Sequence, residues 1–348
     1  MNEIRISVPG KLYLAGEYGV VAGRTPALIL PTKLCLNVVV AEALVQTIFS
    51  TQWKEPITFS FQDGSLPETF QGPWAEALRL VKRVLDAQAK PWIACAIQIA
   101  SDLDQNDQKK WGLGSSGALT VGLVEALLTF HGIALDKPTL YKLCVLAQLE
   151  HLEETSFGDI ACSVFQRPLQ YHMPSRDFLR RIDPADPLES LSEPWPGLET
   201  EVITASEMPL IVVNTGIPAQ THKLVKSVLA HREKRWFKRR MRRIDECVNA
   251  IHKGWIHADL DAVANAVKRH HAALTKLGRK SRQTLVIPPM KTLFKTFKPM
   301  LQAWKFSGAG AGDNVLLFPR SEADRAYVRT HLPEGMTDLT RFIEGVKP

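Results

Sequence analysis

The sequence predicts a two-domain chain that mixes strands and helices, and three observations carry that expectation. Its 348 residues are enough for two domains of ordinary size with substantial cores. Short alternating apolar runs recur between stretches of helical periodicity. Residues 168–209 are rich in proline and charge, with aromatic breaks, and read as a connection between folded units. The expected division is an N-terminal domain 1–170, a connection 171–209 and a C-terminal domain 210–348.

Taken in order, residues 4–8 alternate as a strand and end at Pro9-Gly10. Residues 11–21 read as a short apolar strand or turn carrying one lysine, one glutamate and two tyrosines; on spacing alone, Lys11 is an ordinary surface lysine. Residues 27–30 and 34–40 are strand-like and separated by Pro31, and 57–61 form another strand closed by Asp63-Gly64. Residues 74–87 have helical periodicity, with Leu78, Val81 and Leu85 on one face. A strong strand at 93–99 leads into a polar connection, 101–110. There Asp102, Asp104 and Asn106 imitate a calcium loop, but the required glycine is Asp107 and the closing glutamate is Leu113, so that reading fails. An apolar helix then runs from 119 to near His131-Gly132, and a second spans 139–152. Asp159, beside Gly158 and small residues, either faces a ligand or caps a helix. A strand at 210–213 enters a turn, 214–222, that opens one long helix through a basic run. Helical stretches continue over 260–277, and Pro288-Pro289 marks a loop and a helix start. Strands at 303–306 and 315–318 flank Gly308, Gly310 and Gly312, a spacing that implies a backbone held close to something.

Composition narrows the function. With 45% hydrophobic and 23% charged residues the chain is globular, and no apolar run approaches the ~18 residues of a membrane span. The N-terminus starts as a strand without a signal-peptide core, so a cytoplasmic protein is expected. The five cysteines form no C-x-x-C pair, and His270-His271 is a poor metal candidate on a helix near basic residues. The net charge of +7 is matched by 231–243 alone, with eight lysines and arginines against one glutamate. A basic fold for nucleic acid is therefore not indicated; a single basic helix is, either a solvated face or a clamp for a polyanion.

The stretch with chemistry in it is Gly112-Leu113-Gly114-Ser115-Ser116-Gly117, set before the apolar helix. Glycines admit close approach of a ligand, and a helix start offers free N–H groups and a positive dipole end to a phosphate. The serine hydroxyls add donors, and one suits a magnesium ion. A serine-capped turn remains the plain alternative. The stretch also fits G-x-G-x-x-G with Asp136 about 20 residues on, but a dinucleotide loop leaves its strand directly, and here 101–110 intervenes. The Walker pattern is absent.

Three loops stand in order: 9–18, 112–118 and 307–313. That order resembles the GHMP kinases, small-molecule kinases named for galactose, homoserine, mevalonate and phosphomevalonate. Gly112 to Gly117 resembles their phosphate loop, and Ser307 to Asp313 their C-terminal glycine motif. Gly10 to Tyr18, Ser156 to Cys162 and Gly312-Asp313 are similar to the phosphomevalonate kinases, in the form found in Gram-positive bacteria. Gln166-Arg167 stands where many members have Gly-Gly, and Ala311 where glycine is more usual.

The resemblance implies an α+β GHMP fold: a ribosomal-protein-S5-like α/β domain, then a ferredoxin-like α+β domain, with the active site in the cleft between them. It implies ATP and Mg²⁺ as cofactors, phosphomevalonate as substrate in the mevalonate route to isoprenoids, no nucleic-acid or membrane partner, and a monomer or homodimer. By the same resemblance Gly112, Leu113, Gly114, Ser115, Ser116 and Gly117 hold ATP phosphates, and Ser116 ligates Mg²⁺. Lys11 bridges acceptor and γ-phosphate. Asp159 is the second catalytic residue, and Tyr18, Ser156, Gly308, Ala309 and Gly310 join both in gripping the substrate. The alternative within the family is mevalonate kinase or another member with an alcohol acceptor.

Overall fold

In the computed structural model, which describes residues 3–23, 25–61, 66–104, 110–183 and 186–347, two long strands carry the N-terminal half. β1 (Glu3–Ala15) and β2 (Ala27–Glu42) pair antiparallel along nearly their full lengths. They are followed by β3 (Thr47–Ser50), β4 (Ile57–Thr58), α1 (Pro73–Ala87), β5 (Cys95–Ser101), α2 (Ser115–Phe130), α3 (Lys137–Leu146), α4 (Gly158–Phe165), β6 (Leu169–His172), α5 (Arg176–Leu179) and β7 (Glu199–Val202). Among the described residues these strands make one sheet in the order β4-β3-β5-β2-β6-β7, with β1 on the other edge of β2 and only β3–β5 parallel. α2 and α4 pack on β1 and β2. α2 is apolar all round and its core-facing residues are fully buried, as a helix inside a layer must be.

Both predicted breaks in the first two strands are absent. β1 runs on through Pro9-Gly10, where its register against β2 shifts. β2 runs through Pro31. On the edge of β2 away from β1, β6 covers residues 27–29 and β5 covers 36–42. Pro31 falls between them, where only a short C-terminal segment pairs with β2: Thr32 bridges Ile343 and the Glu344 N–H donates to the Pro31 carbonyl at 3.0 Å, so the proline keeps its acceptor and gives up one donor. β4 is shorter than expected, and the Asp63-Gly64 turn and Asn106-Asp107 lie outside the described residues. The α3 helix stops at Leu146, and a 3₁₀ turn (Leu149–His151) takes up the remainder. Within 168–209, β6 and β7 extend the first sheet.

The C-terminal half has β8 (Ile211–Asn214), α6 (Thr221–Leu229), α7 (Arg235–Ile256), α8 (Leu260–Lys280), α9 (Pro288–Phe297), β9 (Leu301–Phe306), β10 (Asn314–Pro319), α10 (Glu322–Thr330) and β11 (Thr337–Asp338). The sheet order is β11-β8-β10-β9, all antiparallel, with α7 against α8 and α8 on β9. The expected single helix through the basic run is two helices, α6 and α7, parted at residues 230–234. No helix among the described residues is long and apolar enough to cross a membrane.

Candidate active site

The register shift at Gly10 sets up the site. A break in the ladder re-aims backbone groups, and here the Lys11 N–H leaves β2 for the carbonyl of Leu113 at 2.7 Å, while the Gly10 N–H donates to Thr32 Oγ1 at 2.9 Å. The Lys11 ammonium donates to the Gly112 carbonyl at 3.1 Å and lies 5.6 Å from the Tyr13 ring centre. The strand is thereby fastened to the glycine loop from both ends of one residue.

Gly114 is the N-cap of α2 at φ +83°, a region that favours glycine, and no side chain caps the helix start. The first-turn N–H groups therefore remain open to an outside acceptor. Asp159, in the first turn of α4, lies against that start: a Cβ added to Gly117 would sit 2.7 Å from Asp159 Oδ2. Lys11 approaches from the other side, against Gly114.

These groups border an open cleft, ringed by Lys11, Tyr13, Glu17, Tyr18, Ser156 and Asp159 from the N-terminal half and by Thr221, Val225, Ser307, Gly308, Ala309 and Asp313 from the C-terminal half. Ser156 is buried, its Oγ 2.8 Å from Tyr13 Oη, and its carbonyl accepts from Tyr171 Oη at 2.6 Å; Tyr171 in turn meets Tyr141. Burial pushes the Tyr13 and Tyr18 phenols well above their ordinary range, so both stay protonated. Tyr18 donates to the Ala309 carbonyl at 2.6 Å, and Ser307 Oγ to the Tyr13 carbonyl at 2.8 Å. Tyr18 (φ 61°), Phe157 (φ 55°) and Asp313 (φ 51°) are all left-handed and adjoin the cavity, the kind of backbone strain that gathers at functional sites.

Below the 307–313 loop is a buried ion pair. Lys305, fully buried, donates to Glu17 Oε1 and to the Phe306 carbonyl, and His270 Nε2 stands 3.8 Å from Glu17 Oε2. Burial raises the Glu17 carboxyl and lowers the Lys305 ammonium, and their mutual attraction works against both shifts. The glycine loop is tied to the second sheet as well, since Asn214 and Asn314 both donate to the Trp111 carbonyl, at 3.1 and 2.8 Å. Asp313 packs against Gly112 and accepts from the Ala219 N–H at 3.0 Å; burial lifts its carboxyl above the ordinary range.

Of the residues singled out in the sequence, Lys11, Tyr18, Ser156, Asp159, Gly112, Gly308 and Ala309 meet at this one cavity. Ser115 and Ser116 stand beside it at the start of α2, half-buried and exposed respectively. Leu113 is buried with its carbonyl committed to Lys11, and Gly310 is turned toward the Leu285 carbonyl. Tyr171, Lys305, Asn214 and Asn314 had no signal of their own. They lie in strands where each reads as ordinary core or surface, and only the fold gives them partners.

Residues 76–167 match the GHMP kinases N terminal domain family. Over 341 residues the chain is 30% identical to a phosphomevalonate kinase from a Streptomyces species, an alignment covering 91% of this chain and 90% of that protein. Among solved structures it is similar to a Listeria innocua protein (TM-score 0.89, 24% identity, 97% of this chain and 96% of that one). It is also similar to Streptococcus pneumoniae phosphomevalonate kinase in complex with phosphomevalonate and AMPPNP (TM-score 0.82, 21% identity, 98% and 99%).

Proposed function

The chain belongs to the GHMP kinases, in their phosphomevalonate kinase branch, and from that premise we propose that it transfers the γ-phosphoryl group of ATP to the phosphate of 5-phosphomevalonate. An oxygen of the acceptor phosphate bonds to the γ-phosphorus as the bond to ADP breaks, giving 5-diphosphomevalonate. The observation that supports this most is the place of Lys11, fixed to the glycine loop at Leu113 and Gly112 while its side chain lines the cavity. A cation there serves both anions at once.

Phosphoryl transfer asks for positioning and charge neutralisation more than covalent help. The uncapped start of α2 receives ATP phosphates on its N–H groups, with Ser115 as a further donor. Lys11 neutralises charge between donor and acceptor. Ser156, held by Tyr13, and Tyr18 grip the acceptor, with Gly308 and Ala309 closing the far wall. Among the described residues no three carboxylate, histidine or cysteine side chains converge as a metal cage. The exposed Ser116 hydroxyl at the start of α2 offers the oxygen donor that magnesium prefers, and it would hold the ion beside the phosphates. When bound, the ion screens the phosphate charge.

The test is ADP release with phosphomevalonate and mevalonate side by side. Turnover with phosphomevalonate alone is expected. Turnover with mevalonate alone would shift the reading to an alcohol-accepting kinase, in which Asp159 has a proton to remove.

A further inference from the structure

We propose that Arg176 is a positioning residue of the acceptor site, pinning two walls of the cavity to each other. The inference rests on the reading that this cavity takes the phosphorylated acceptor. Two irregular segments form those walls. One is the turn after β1, which supplies Tyr18, Val20 and Val21; the other is the loop before α4, which supplies Glu154, Thr155 and Ser156. Neither belongs to a strand or helix that would fix it.

Arg176 reaches both. Its Nε donates to the Val21 carbonyl at 3.0 Å, its Nη2 to the Thr155 carbonyl at 2.8 Å, and its Nη1 to the Leu152 carbonyl. Among the described residues, none of these carbonyls accepts another backbone hydrogen bond. One planar guanidinium thus supplies what secondary structure supplies elsewhere. Arg176 itself is well anchored. It opens α5, where Ser175 Oγ accepts from the Phe178 N–H and the Ser175 N–H donates to the Pro196 carbonyl at 2.7 Å. It is in no ion pair with a carboxylate within 4.0 Å among the described residues, so its fork is committed to carbonyls. Burial lowers its guanidinium to about 10, which leaves it a cation at neutral pH.

Arg176→Lys keeps the charge but cannot span three carbonyls with a single nitrogen. Steady-state kinetics should show KM for phosphomevalonate raised about tenfold or more, KM for ATP changed by less than about twofold, and a thermal midpoint close to wild type. In Arg176→Ala, added methylguanidinium should restore part of the lost kcat/KM; if that variant does not fold, Arg176→Lys carries the test alone. An unchanged KM for phosphomevalonate in folded Arg176→Lys would overturn the proposal. So would a parallel rise in both KM values with a fall in the thermal midpoint, which marks general loosening. Wild-type enzyme that fails to turn over phosphomevalonate in the same assay would overturn the functional reading and this inference with it, an outcome distinct from the other two.

Discussion

Asp159 faces the same cavity as Lys11, yet the lysine ammonium bonds the Gly112 carbonyl and forms no ion pair with the aspartate within 4.0 Å. The chemistry of the acceptor explains why a base is not demanded. A phosphomonoester has its second pKa near about 6, so at neutral pH the attacking oxygen has already lost its proton. On the proposed function Asp159 is an orienting group, not a base, and Asp159→Asn is then expected to lower kcat by less than roughly 10⁴-fold, the upper span for one general acid–base group. A larger loss in stopped-flow or steady-state assays would restore a base role. Asp313 supports a prediction about pH. Its carboxyl is raised by burial, so the folded chain holds that proton more tightly than the unfolded one. Its contribution to stability is greatest below the ordinary aspartate value of about 3.9 and declines as pH climbs through the raised value. Asp313→Asn keeps an oxygen for the Ala219 N–H and suits the left-handed backbone at φ 51°, but carries no charge. Thermal melts should place the variant above wild type at pH 8, with the gap closing toward pH 4. A lower midpoint at pH 8 would show that its attraction to Lys11 outweighs burial.

Elements with a strong period were legible, and those shaped by their neighbours were not. α1 and α8 read directly from spacing because each buries one face, and α2 from its continuous apolar run. Proline and glycine misled at Pro9-Gly10 and Pro31. Their cost depends on whether an adjacent strand needs the N–H, and that follows from sheet order, which a local window does not contain. The charge-rich 168–209 stretch hid β6 and β7 for a related reason: with β7 exposed throughout, its residues have no apolar alternation to show. At the site, the three loops were legible because glycine and serine clusters are unusual. The supports beneath them, Lys305 with Glu17 and the two asparagines on Trp111, were not, since a lysine inside a strand gives no sign that it is buried. Arg176 was hidden likewise, since its three acceptors are carbonyls far from it in sequence.

Across the whole molecule the two sheets meet at the cavity through Tyr18 to Ala309, Ser307 to Tyr13 and Lys305 to Glu17, so the site is made by their joining. The net charge of +7 is distributed quite differently, being matched by the 231–243 segment alone. α7 turns Phe237, Met241, Ile244, Val248 and Ile251 inward, and Ile244 packs against the turn at Gly19 that carries Tyr18 into the cavity. Arg239, Arg242 and Arg243 point outward, Arg240 is half-buried, and Arg243 pairs with Glu246 at 2.6 Å. None of the four lines the cavity. Exposed charges more than a Debye length apart, about 8 Å at physiological salt, act weakly on one another. The apolar side of α7 therefore packs beneath the site, while its arginines stand outside the lining. Replacing Arg239, Arg240, Arg242 and Arg243 together by glutamine should leave KM for phosphomevalonate within about twofold at 0.15 M salt. The same measurement repeated at low ionic strength separates steering from contact. A KM that rises severalfold and depends steeply on salt would mean that the field of this helix draws the anionic substrate in, and the outward arginines would then belong to the function after all.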